Sequence, residues 1–314
     1  MDPSQDRSEG RSAAGFAGVE DVRGRLGATG YLADDATATV VHLAGRLGKP
    51  VLVEGPAGVG KTELAKAVAT ALDADLVRLQ CYEGLDEARA LYEWDYKKQL
   101  LRIQHATAGE RDAGWEDVHD DLFGEAYLLE RPLLRALRAE RDTVLLVDEV
   151  DKVDVEFEAL LLEILSDFQV TIPELGTVRG RRPPFVVLTS NATRELSEAL
   201  RRRCLYLHLE YPTIERERAI VAARVPDAPA ALTDQVVRVV RSLRALELRK
   251  PPSISETLDW TRALIELGVQ HVDEAAMSAT LTVLLKHHRD LERAMGHLGA
   301  VTRPDAAPPR PEVG

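Results

Sequence analysis

"PVLVEGPAGVGKTELAKAVATALD" spans Pro50 to Asp73, and its three parts decide the fold. The segment "PVLVEG" (50–55) is short, apolar and β-branched, as a buried strand is. "KTELAKAVATALD" places Leu64, Ala65, Val68 and Leu72 on one helical face. Between them "GPAGVGKT" (55–62) fits G-x-x-x-x-G-K-[S/T], directly after a strand and directly before a helix. Gly55, Gly58 and Gly60 permit torsions that other residues resist, so backbone N–H groups can close on a phosphate. The helix beginning near Lys61 turns its positive end toward the anion. Lys61 is placed to reach β- and γ-phosphates, and the Thr62 hydroxyl to ligate Mg²⁺. The predicted binding segment is Gly55, Pro56, Ala57, Gly58, Val59, Gly60, Lys61, Thr62 and Glu63.

Four more strand patterns follow: "DLVRLQC" (75–81), "TVLLVDE" (143–149), "PFVVLTSN" (184–191) and "CLYLHLEY" (204–211). They alternate with helical patterns such as "VEFEALLLEILSDFQ", with Leu161, Ile164, Leu165 and Phe168 at helical spacing. That alternation predicts an α/β fold of the phosphate-loop NTPase type, with a five-stranded, mostly parallel, helix-covered sheet. After Pro212 only helical patterns remain, which predicts a separate all-helical domain. The expected organisation is a flexible Gly-, Ser- and charge-rich tail over 1–25 and a nucleotide-binding domain over 26–211. An insertion at about 82–124 interrupts that domain, a helical lid covers 212–297, and a Pro-rich tail covers 298–314.

"VLLVDEVDKVD" ends four apolar residues in Asp148 and Glu149. Carboxylates at the carboxyl end of a buried strand lie where parallel sheets bind ligands. Asp148 suits a water-mediated contact to Mg²⁺, and Glu149 suits a base that orients or deprotonates the attacking water. Asp151 and Asp154 read as solvated acids at a helix start. Asn191 ends its strand where it can hold the lytic water or a γ-phosphate oxygen.

The chain has 314 residues, 45% of them apolar and 29% charged, with a net charge of −12. That acidity argues against a general phosphate-backbone binder, so no nucleic acid partner is expected. No apolar run approaches a membrane span and no secretory signal opens the chain. Cys81 and Cys204 are the only cysteines and have neither a disulfide framework nor a metal spacing. His105 and the pair His287–His288 also lack metal spacing. These features fit a reducing cytoplasm.

Gly55–Thr62, Asp148–Glu149, Asn191, "EALRRRC" and an all-helical region occur in that order, and together they resemble an AAA+ ATPase. The resemblance implies ATP and Mg²⁺ as cofactors and puts Asn191 in the sensor 1 position. It puts Arg203 in the position of an arginine finger, which reaches the γ-phosphate held by a neighbouring subunit; Arg202 and Arg201 are alternates. "CYEGLDEARALYEWDYKKQLL" and "RKPPSISETLDW" resemble the MoxR family, within it the branch associated with carbon monoxide dehydrogenase maturation (CoxD-like). The likeness spans about residues 28–296. It implies a homo-oligomeric, hexameric ring acting as a chaperone, a von Willebrand factor A (VWA) domain partner, and a metalloenzyme client such as a molybdenum-containing carbon monoxide dehydrogenase. The sequence departs from the family at the lid's "S-P-R" word, where Ser255 stands near the sensor 2 position; Arg249, Lys250 and Arg262 are the substitutes. Tyr92, Trp94 and Tyr96 of "LYEWDY" fit either core packing or partner contact. "QVTIPELGTVRGRRPPF" (169–185) fits a surface hairpin or a pore loop. The competing functional readings are a DNA-associated motor or restriction-type NTPase, and a nucleotide-binding switch without turnover.

Overall fold

Val51–Glu54 (β1) is buried along its whole length, which explains why all its positions are apolar or paired. Residues 15–109 and 122–301 are described by a computed structural model of the chain. The other strands of the main sheet are Asp75–Gln80 (β2), Thr143–Asp148 (β5), Phe185–Ser190 (β8) and Leu205–His208 (β9). Their order is β2-β5-β8-β1-β9, and every pairing is parallel. The sheet therefore has the five strands expected from the sequence, each within a few residues of its pattern. β5 and β8 are central and almost wholly buried, so both read as continuous apolar runs. One core cluster joins β2, β5 and β8 to Leu133, Leu134 and Leu137 of helix Pro132–Arg138 and to Leu161 and Ile164 of helix Val155–Asp167.

Two antiparallel ribbons stand apart from this sheet. Tyr92–Trp94 (β3) pairs with Leu128–Glu130 (β4), and Gln169–Ile172 (β6) pairs with Gly176–Arg179 (β7). Trp94 is buried and meets Tyr92 and Phe123 edge-on, with ring centroids 6.2 and 5.3 Å away. Core packing thus holds for Tyr92 and Trp94, whereas Tyr96 is 64% exposed on helix Tyr96–Gly109. Residues 110–121 of the expected insertion lie outside the described residues.

The expected flexible tail over 1–25 needs correction. A helix runs from Val19 to Ala28, with Val22 and Leu26 fully buried and Phe16 nearly so. Its glycines and charges mask an i, i+4 apolar pair that is enough to dock it. Residues 1–14 and 302–314, which include the expected C-terminal tail beyond the helix ending at Val301, lie outside the described residues.

By its contacts the chain divides into two units, one of Met1–Gly55 with Lys61–His208, the other of Pro56–Gly60 with Leu209–Gly314. Past Leu209 the described residues form helices only: Ile214–Arg224, Ala230–Arg244, Ile254–Glu266, Glu274–Leu284 and His288–Val301. Their core is Leu232, Val236, Val240, Trp260, Leu264, Met277 and Leu281. The buried Trp260 indole N–H donates to Thr280 Oγ1 at 2.7 Å, which removes an unsatisfied donor. A break separates the last two helices, Glu274–Leu284 and His288–Val301. Leu285 is extended (φ −115°, ψ 129°), and the break leaves both Leu284 and Leu285 buried. In the same unit a capping box at Ser253 and Glu256 starts helix Ile254–Glu266. Ser253 lies against Gly58, and Ile254 N–H donates to the Gly58 carbonyl at 3.2 Å.

Candidate active site

The loop between β1 and helix Lys61–Leu72 bends through Gly55 (φ 152°), Gly58 (φ 73°) and Gly60 (φ 100°). Side-chain-bearing residues resist those torsions, which is why glycine occupies all three. Val59 is buried and Pro56 and Ala57 are exposed. Glu63, in the helix's first turn, pairs with Lys66 at 3.4 Å. First-turn N–H groups lack intrahelical acceptors and remain available to an anion.

Lys61 is buried at the head of that helix. Its Nζ donates to the Gly55 carbonyl at 2.6 Å and to Asn191 Oδ1 at 2.8 Å. The loop lysine and Asn191, the residue just after β8, are therefore neighbours, although 130 residues separate them. Burial pulls the Lys61 pKa below its ordinary value, and the carboxylates of Asp151, Asp148 and Glu149 oppose that shift.

Asp148 closes β5 and is 5% exposed. Its Oδ1 accepts from Thr62 Oγ1 at 3.0 Å and from Thr189 Oγ1 at 2.5 Å. Thr189 also accepts the Glu149 N–H at 2.9 Å, so one hydroxyl bridges both acids. Glu149 adopts a left-handed conformation (φ 57°, ψ 49°). A non-glycine residue there costs on the order of 1–3 kcal/mol and persists only where its surroundings hold it. Sequence reasoning missed Thr189, whose signal is its place near the end of β8, two residues before Asn191.

Asp151 is corrected from a solvated acid to a buried one. Its carboxylate accepts from Asn191 N–H at 3.2 Å, Thr193 N–H at 3.0 Å and Thr193 Oγ1 at 2.6 Å. Burial pushes its pKa upward, but the bonds from Thr193 and Asn191 outweigh it and the net shift is downward. Asp154 is the helix-start acid it was expected to be, accepting the Phe157 N–H at 2.8 Å.

The three arginines of helix Glu198–Arg203 have different surroundings. Arg201 pairs with the buried Glu54 at 3.3 Å and lies over the Tyr206 ring. Arg202 pairs with Glu198 one turn back, both exposed. Arg203 is exposed and forms no ion pair or hydrogen bond among the described residues. In the helical unit Ser255 is exposed, Lys250 pairs with Glu256 at 3.8 Å and Arg262 with Asp259 at 3.1 Å. Cys81 and Cys204 are free, and burial pushes both thiols up to about 12, which leaves them unreactive at neutral pH.

A hydroxyl and a carboxylate 3.0 Å apart, in the field of the Lys61 ammonium, form a hard-oxygen donor set that fits Mg²⁺. No group of three or more His, Cys, Asp or Glu side chains suited to a metal occurs among the described residues. No helix among them is long and apolar enough to cross a membrane.

A family model described as "ATPase family associated with various cellular activities (AAA)" matches residues 51–211, just over half of the chain. The chain is 25% identical over 231 residues to the denitrification regulatory protein NirQ of Stutzerimonas stutzeri, covering 71% of this chain and 74% of that one. It is 29% identical over 212 residues to the gas vesicle ATPase GvpN of Haloferax mediterranei, covering 63% and 57%. Among solved structures it resembles the Thermotoga maritima RuvB Holliday junction branch migration motor with a TM-score of 0.42 and 18% identity, covering 92% and 72%.

Proposed function

The chain belongs to the AAA family of ATPases and hydrolyses ATP with Mg²⁺, and from that premise we propose that it is a MoxR-type remodelling ATPase whose subunits work as a hexameric ring. The observation that carries the site assignment is the convergence of Lys61, Thr62, Asp148 and Asn191 through bonds of 2.8 and 3.0 Å at one end of a parallel sheet. Ligands bind at the carboxyl ends of such strands.

Within this proposal each residue has a task. The N–H groups of the loop Gly55–Glu63 bind phosphate oxygens, and Lys61 adds a positive charge beside them. Thr62 and Asp148 hold Mg²⁺, Asp148 through water. Bound there, Mg²⁺ would supply positive charge that offsets the negative charge of the phosphoryl group. Glu149 takes a proton from the attacking water at its carboxylate, and Asn191 holds that water or the γ-phosphate in place. Arg203 serves the site of the neighbouring subunit, where its charge meets the phosphate it lacks in its own chain.

The finer role is maturation of a metalloenzyme client, of the carbon monoxide dehydrogenase kind, with a VWA-domain protein as partner and the cytoplasm as location. The words Cys81–Leu101 and Arg249–Trp260 support it by their resemblance to CoxD-like proteins. A relative described as a regulator of denitrification and another described as a gas vesicle ATPase are compatible with service to an assembled partner.

The test is steady-state ATP hydrolysis per subunit as a function of protein concentration, with the size of the assembly followed in parallel. Activity that rises steeply as rings form supports the reading. Activity that is flat down to monomers, or that rises only with added DNA, overturns it.

A further inference from the structure

Arg78 lies on β2, an edge strand, two residues from Gln80 on the same face. The register places Arg78 beside Leu146 and Gln80 beside Asp148, so this face of β2 meets the end of β5 that bears the acid. Arg78 Nε and Nη2 both donate to Asp148 Oδ2, at 3.1 and 2.5 Å. Nη2 also donates to Gln80 Oε1, a second tether on the guanidinium. The arginine is 49% exposed, while Asp148 is 5% exposed.

The division of labour between the two carboxylate oxygens is what gives Arg78 a role. Oδ1 faces Thr62 and Thr189, the side on which a metal-bound water must be met. Oδ2 is held by Arg78 alone among the described hydrogen bonds. The torsion that turns an aspartate carboxylate is broad and only weakly restricted by itself. Two N–H groups of one rigid fork on one oxygen remove that freedom, and they leave Oδ1 aimed at Thr62. Arginine keeps its charge across any working pH, so the grip does not titrate away.

We propose that Arg78 is a positioning residue for the Mg²⁺ site: by pinning Oδ2 of Asp148 it fixes Oδ1 for the metal-bound water and so sets how much Mg²⁺ the site needs. This rests on the assignment of Thr62 and Asp148 to Mg²⁺ made above. Groups that orient a metal-binding side chain contribute about 10- to 100-fold in metal affinity or activity.

The experiment is binding of a fluorescent ATP analogue to the full chain, titrated with free Mg²⁺ and repeated in EDTA. Arg78→Gln is expected to raise the free Mg²⁺ at half-maximal enhancement about tenfold. Binding in EDTA, which needs the loop but not the metal, is expected to stay within about twofold of the wild type, and that readout also certifies a folded loop. Arg78→Lys, which keeps the charge but on a single donor nitrogen without the fork, is expected to recover part of the loss. In an Asp148→Asn background Arg78→Gln is expected to add nothing further to the Mg²⁺ requirement, because the carboxylate it positions is already altered.

A Mg²⁺ requirement unchanged in Arg78→Gln overturns the proposal, leaving an exposed ion pair with no bearing on the site. An equal loss in EDTA, or a further tenfold loss on top of Asp148→Asn, also overturns it. A wild type that binds the analogue equally with Mg²⁺ and EDTA overturns the underlying metal-site assignment instead, so the two failures are separable.

Discussion

Arg201 and Glu54 stand 147 residues apart in the chain and 3.3 Å apart in space. Glu54 is buried at the last position of β1, directly before the phosphate loop. Its charge needs a partner, because an isolated buried carboxylate is strongly disfavoured. Arg201 is that partner, so the first arginine of the run is committed within its own subunit.

The run therefore separates into testable parts. Arg203→Ala is expected to lower ATP hydrolysis by on the order of 10³-fold while leaving ATP binding intact. Arg202→Ala, which removes one exposed pair, is expected to change stability by no more than about 0.5 kcal/mol and leave hydrolysis unaltered. Arg201→Ala uncovers Glu54 and is expected to lower the melting temperature before any catalytic effect is counted. Hydrolysis rates, nucleotide affinity and thermal melts of the three variants sort these outcomes. Equal hydrolysis by Arg203→Ala and wild type removes Arg203 from the finger position.

Glu149 and Thr189 supply a second comparison. Glu149→Gln keeps the size and polarity of the side chain but cannot accept a proton, so hydrolysis is expected to fall about 10²- to 10⁴-fold with ATP still bound. Thr189→Val removes the hydroxyl that donates to Asp148 and accepts the Glu149 N–H. It leaves the Glu149 amide without its acceptor in a conformation that is costly for any non-glycine residue. Hydrolysis is expected to drop at least tenfold, with recovery in Thr189→Ser. Full activity in Thr189→Val shows that Glu149 holds its conformation without this bond.

Gly58 is constrained twice. Its φ of 73° favours glycine, and a Cβ built there would overlap the Cβ and Oγ of Ser253. Gly58→Ala is expected to cost about 1–3 kcal/mol and to weaken nucleotide binding. Adding Ser253→Gly is expected to return the steric part and leave the torsional part. Denaturant unfolding of the single and double variants separates them. An additive double variant means the two residues do not meet.

The sheet was legible because β1, β2, β5, β8 and β9 each carry a short apolar run bounded by turn residues or by the motif itself. The phosphate loop was legible because only its spacing of glycines, lysine and threonine meets the demand of phosphate binding. What stayed hidden depends on partners distant in the chain. Asp151 resembles a helix-start acid locally; its burial is decided by the Asn191–Thr193 turn 40 to 42 residues away. Arg78 resembles a surface arginine on an edge strand until the register of β2 on β5 puts it beside Asp148. The N-terminal helix was hidden by composition, since two buried residues in ten do not stand out among glycines and charges.

Asp151 links the turn after β5 to the turn that carries Asn191, and its behaviour with pH can be worked out in sign. Its folded pKa is depressed, so it contributes stability that is fully present above the ordinary aspartate value of about 3.9. That contribution is lost as pH falls through the lower, folded pKa. Asp151→Asn cannot accept from all three donors at once, because its amide nitrogen faces N–H or O–H groups. At pH 7 it is expected to cost about 2–3 kcal/mol, from buried donors left unpaired. The gap between wild type and variant is expected to stay constant from about pH 5 to 8, and to shrink on acidification below about 3.9. Because the Asn191 N–H loses its acceptor, the variant is also expected to show lower hydrolysis with nucleotide affinity nearly kept. Denaturant unfolding at a series of pH values, with hydrolysis measured at neutral pH, decides both points. A gap that widens on acidification means that Asp151 is protonated in the folded protein and that the three bonds do not hold its charge.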